Sequence, residues 1–89
     1  MREYWLNKLF YDVQRPPLRD EYRTDRERVL ERYPLKPETR AALLAEDFAY
    51  LAPRVNPYLL RFYFQATGMP DEEFIRRLRA LAPAGARHG

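Results

Sequence analysis

The sequence predicts an all-α fold, a compact orthogonal bundle of five to six short helices. Three observations predict it. Apolar residues recur at three- and four-residue spacing along most of the chain. The eight prolines fall almost wholly at the borders of those segments, where they punctuate helices. No run of alternating β-branched residues is present to build a sheet. With 89 residues the chain holds one small core, since a domain of this size buries only about 60 to 65% of its unfolded surface. The expected domain is 1–82, followed by a flexible tail over 83–89.

In chain order, Leu6, Leu9, Phe10 and Val13 mark an amphipathic helix over residues 3–14, with Trp5 and Tyr11 widening its stripe. Pro16 and Pro17 end it, and "PLRDEY" follows as a short helical segment. "TDRE" reads as a capping box, with Thr24 as the cap and Glu27 reaching back. Val29, Leu30 and Tyr33 form the buried face of that helix, which stops at Pro34. Pro37 opens the next, whose apolar pair is Leu43 and Leu44. A break near Asp47 starts a short helix that buries Phe48 and Leu51 and ends at Pro53. Asn56 and Pro57 are an amide cap and a first residue with helical φ. Gly68 suits a left-handed terminus, and Pro70 opens the last helix with Phe74, Ile75, Leu78 and Leu81 inward.

Composition excludes several chemistries. Cysteine and serine are absent, so disulfides, thiolate metal sites, cysteine nucleophiles and the serine triad are all unavailable. His88 is the single histidine and stands in the tail without a partner in sequence. The three glycines are scattered and form no phosphate loop. Catalytic, cofactor and metal residues are therefore expected to be none. The N-terminus lacks the pattern of a secretory leader and no apolar run could span a bilayer, so the expected location is cytoplasmic, without membrane association.

The formal charge is +3. Asp71, Glu72 and Glu73 followed by Arg76, Arg77 and Arg79 place acids at a helix start and bases near its end, which complements the helix dipole. Nucleic-acid binding through those arginines is the least supported reading.

The segment "RVNPYLLRFYFQATGMP", residues 54–70, is apolar nearly all round a helix. Successive residues step by about 100°, so Leu59, Leu60, Phe62, Tyr63 and Phe64 cannot share one side. Two explanations stand: a central helix covered by its neighbours, or a helix buried on one side that offers aromatic anchors to a partner on the other.

The longer segment "VNPYLLRFYFQATGMPDEEFIRRLRAL", with "YPL" and an Ala/Leu-rich helix upstream, resembles the small α subunit of the LigAB-type extradiol ring-opening dioxygenases, the protocatechuate 4,5-dioxygenase α-subunit family. The resemblance covers residues 3–81 and implies an all-helical, non-catalytic small subunit that packs on a large subunit and helps close its active site. It also implies a non-haem Fe(II) held by that partner and not by this chain. Asn56, Tyr58, Leu59, Arg61, Phe62 and Tyr63 would form the docking or substrate-lid surface, with Arg61 as the candidate to touch an anionic group. The alternative is a stand-alone helical interaction module, a homo-oligomer unrelated to ring cleavage.

Overall fold

A computed structural model describes residues 3–86. Seven α-helices form among them: α1 (Tyr4–Asp12), α2 (Pro16–Thr24), α3 (Arg26–Leu30), α4 (Pro37–Ala45), α5 (Phe48–Leu51), α6 (Pro57–Ala66) and α7 (Asp71–Ala86), with a 3₁₀ turn at Ala52–Arg54. No strand occurs among the described residues. The all-α class is as expected, and the helices number seven, not five to six, because the short segments expected after Pro16 and Asp47 each form a helix of their own.

Local chemistry sets the boundaries. Proline occupies the first turn of α2, α4 and α6, where its missing N–H costs nothing. Asp47 starts α5 by accepting the Tyr50 amide at 3.2 Å, and Glu46 just before it takes a left-handed φ of 54° that ends α4. Asn56 starts α6 by accepting the Tyr58 amide at 2.8 Å. Gly68, at φ 98°, turns the chain out of α6 in a conformation that a side chain would strain.

The capping box is displaced by one residue. Thr24 ends α2, its hydroxyl donating back to the Asp20 carbonyl at 3.0 Å, and Asp25 caps α3 by accepting the Arg28 amide at 3.2 Å. Once α2 runs on to Thr24, the next oxygen in sequence takes the cap. We expect Asn56→Ala to lower stability by about 1 kcal/mol in a urea titration, and Asn56→Asp to retain most of it.

The core joins residues from α1 to α7. Leu6, Leu9, Phe10 and Val13 are fully buried. Trp5 and Tyr11 are exposed, Trp5 lying about 40° outside that stripe on one side and Tyr11 about 100° outside it on the other. The same step buries Leu43 and exposes Leu44.

The aromatic residues of α6 are divided among its neighbours. The Tyr63 ring stacks on Phe10 of α1 at 3.9 Å between centroids, and its hydroxyl meets that of Tyr22 on α2 at 2.5 Å. Phe64 stacks on Phe48 of α5 at 4.4 Å and lies 6.0 Å from Phe74 of α7. Such ring pairs add about 0.5–1.5 kcal/mol to the area they bury.

α7 departs from expectation along its length. Phe74 is buried and Ile75 half-buried, but Leu78 and Leu81 are exposed at 36% and 38%, so the inward stripe stops after the first turns. Its backbone stays helical through Ala86, into the segment expected to be a tail. Residues 87–89 of that tail, His88 included, lie outside the described residues. Since the helix continues, Arg76, Arg77 and Arg79 fall in its middle, and its last turn holds no base.

Candidate functional site

α6 carries the candidate surface, and its orientation follows from what it buries. Leu60, Tyr63 and Phe64 face the core, which turns Tyr58 and Phe62, one helical turn apart, toward solvent. Tyr58 is 74% exposed and Phe62 44%.

Of the six expected surface residues, Tyr63 is a correction. It is fully buried between α1 and α2, so no partner reaches it. Asn56 is half-buried and structural: besides capping α6, its amide donates to Asn7 Oδ1 at 3.3 Å, and the Asn7 side chain donates to the Glu3 and Arg54 carbonyls. Leu59 is half-buried and packs against the core.

Arg61 is exposed but engaged. Its Nε and a terminal nitrogen donate to the two carboxylate oxygens of Asp71 at 3.0 and 2.6 Å, a bidentate fork that ties α6 to the start of α7. The expected contact with an external anion would require this fork to open.

The surface has relief on both sides of Arg61 and Phe62. Between α6 and α7 lies a cavity of about 320 Å³, walled by Ala52, Pro57, Tyr58, Leu60, Phe74 and Leu78 with Arg61 at its edge. Phe62 instead borders a second cavity of about 240 Å³, toward α2.

A family model described as aromatic-ring-opening dioxygenase LigAB, LigA subunit, matches residues 6–79. The chain belongs to the LigA family. No curated protein and no solved structure gives a significant match. The LigA match extends from the first buried leucine of α1 into the middle of α7, and so contains the whole aromatic surface of α6.

Among the described residues of this LigA chain, no group of three or more His, Asp or Glu side chains is placed to hold a metal ion. A non-haem iron therefore does not fit the donors described here. No described helix is long and apolar enough to cross a membrane.

The acidic start of α7 is used internally. Glu73 accepts from Arg77 Nε at 2.6 Å and also pairs with Arg76, while Arg77 reaches Glu46 at 3.2 Å. Two of the three arginines considered for nucleic-acid contact are thus balanced by carboxylates.

The strongest titration effects belong to the interior. Burial pushes the Tyr63 and Tyr22 phenols above the ordinary value. Burial, and then donation to Asp12 at 2.6 Å, raises that of Tyr33. These hydroxyls hold helices together. None lies on the surface of α6.

Sequence patterning missed the buried Tyr22–Tyr63 link, since no periodicity reports a pairing across 41 residues. It also missed the second cavity, although Arg15, Arg19 and Arg23 repeat at four-residue spacing and so share one face of the chain around α2.

Proposed function

We propose that this LigA chain is the non-catalytic small subunit of a type II extradiol dioxygenase, docking on a large iron-bearing subunit through Tyr58 and Phe62 and helping to close its active site. One observation carries the reading: two large aromatic side chains stand exposed one turn apart on a helix whose opposite face is fully packed. Exposed aromatic pairs of this kind are where interface energy concentrates, because burying each ring removes a large apolar area from water at small entropic cost. The family supports the kind of partner, a larger ring-opening subunit.

The chain's own contribution would be shape and exclusion of water. Arg61, locked to Asp71, stiffens the α6–α7 junction beside Tyr58. The cavity lined by Pro57, Leu60, Phe74 and Leu78 gives an apolar recess into which a partner side chain can seat. The iron and its chemistry would belong to the large subunit.

The test is an affinity pull-down from the source cell at moderate salt, with bound proteins identified by mass spectrometry. Wild type should recover a larger protein bearing a histidine and carboxylate iron site, and the Tyr58→Ala, Phe62→Ala double variant should recover it at least about tenfold less well, since truncating an anchor typically costs more than 1 kcal/mol. Recovery of the bait alone would overturn the reading.

A second reading, self-association, rests on α7, where Ile75, Leu78 and Leu81 are left partly uncovered at helical spacing. A homodimer mass at low micromolar concentration would support it, and a strict monomer would remove it.

A further inference from the structure

The cavity between α2 and α6 differs from the rest of the surface in its chemistry. Gln14, Arg19, Arg23, Phe62, Gln65 and Ala66 line it, and no carboxylate is among them. Arg19 and Arg23 are four residues apart on α2, a spacing that brings like charges together and costs a few tenths of a kcal/mol in an isolated helix.

Among the described residues, neither arginine is neutralised by a close ion pair. The acid nearest Arg19 is its neighbour Asp20, 3.8 Å from Nε and beyond hydrogen-bond range. Arg19 Nε is itself shut away from solvent and has no hydrogen-bond partner among the described residues. Arg23 spends its Nε on the Ala66 carbonyl at the end of α6, at 2.6 Å, which anchors the guanidinium at the cavity wall. Gln14 donates to the Phe10 carbonyl at 3.1 Å, which uses one of its two amide hydrogens.

We propose that this cavity is a carboxylate-binding site, with Arg19 and Arg23 as its cations, Gln14 and Gln65 as neutral donors and Phe62 as the wall for the carbon chain that bears the acid. A planar, singly charged carboxylate matches guanidinium forks that meet it two bonds at a time. A carboxylate met by the terminal guanidinium nitrogens also relieves the repulsion between the two arginines. Arg61, the residue expected to touch an anionic group, is held by Asp71 and takes no part in this site. The site stands whether or not the chain docks on a larger subunit.

The test is a side-chain nitrogen–proton NMR titration of the full chain with sodium butyrate, with N-acetylglutamic amide as a second ligand, and with sodium chloride and inorganic phosphate as controls. Saturable shifts are expected at the Arg19 and Arg23 Nε–H signals and at the Gln65 amide, with the Arg61 signal, already held by Asp71, unmoved. Tighter binding of butyrate would mark a free small acid as the natural source, and tighter binding of the blocked glutamate an acidic side chain. Arg19→Gln should weaken either about tenfold, the worth of one charge-assisted hydrogen bond, with the backbone spectrum unchanged. Gln65→Ala, on the exposed side of α6, gives a variant that leaves the α2 packing alone and should weaken binding less. Shifts that are linear, equal at every arginine and reproduced by chloride would overturn the proposal. Phosphate displacing butyrate at much lower concentration would overturn the carboxylate assignment.

Discussion

Phe64→Ala is expected to lower the unfolding free energy by about 3–5 kcal/mol, while Phe62→Ala, two residues away, changes it by less than about 1 kcal/mol. Phe64 is fully buried and its ring meets Phe48, Tyr63 and Phe74, so truncation removes contacts on several sides and leaves a cavity that three helices cannot easily close. Phe62 has nearly half its surface in water already and loses little. Urea titrations of the two variants decide the matter, and the contrast matters more than either value. Equal and large losses would place Phe62 in the core and dissolve the candidate surface. A small domain has only about 5 kcal/mol to lose, so Phe64→Ala is expected to be largely unfolded at 37 °C.

The second large effect is alkaline. Burial raises the Tyr22 and Tyr63 phenols in the folded state above the unfolded value near 10. Their contribution is therefore fully present below pH 10 or so and is lost as pH rises beyond it, because the unfolded chain releases two protons that the folded chain retains. Over the pH range in which the unfolded chain has lost a phenolic proton that the folded chain keeps, each such group lowers stability by about 1.4 kcal/mol per pH unit. Helix content followed by circular dichroism should fall together with the rise in tyrosinate absorbance. Tyr22→Phe with Tyr63→Phe, which removes both hydroxyls and leaves neither orphaned, should move the midpoint upward. Gradual, non-cooperative tyrosine titration with the helices intact would contradict the account.

Much of this fold is legible because its boundaries are written in local chemistry. Asn56–Pro57, Asp47 and Gly68 each act through their own backbone, and a single sequence shows them. Where two neighbours compete, as Thr24 and Asp25 do for one cap, the outcome depends on how far α2 continues, and that is a matter of packing. Periodicity likewise places Phe74, Leu78 and Leu81 on one stripe of α7 but says nothing of where the bundle ends beneath it.

The candidate surface was legible to the same degree. That α6 is too apolar for one face is evident from composition, and family likeness marks the segment. The division of labour around it is not. Tyr63 and Phe62 are adjacent and chemically alike, yet one is the centre of the core and the other faces solvent, because the rotation of α6 is set by Phe10, Tyr22, Phe48 and Phe74 from distant parts of the chain. Arg61 is the candidate in this segment to touch an anionic group, but the carboxylate it holds is Asp71 at the start of α7, a pairing that no spacing within α6 reports.

The central claim is that α6 presents Tyr58 and Phe62 to a larger ring-opening subunit. The most direct measurement replaces Phe62 with a photoreactive benzoylphenylalanine in the source cell, with the same substitution at the exposed Arg28 on α3 as control, and identifies what each captures. The account predicts a single discrete adduct from position 62 to a larger subunit with an iron-binding histidine and carboxylate set, and none from position 28. Equal capture from both positions, or an adduct from position 62 only to a second copy of this chain, would contradict it.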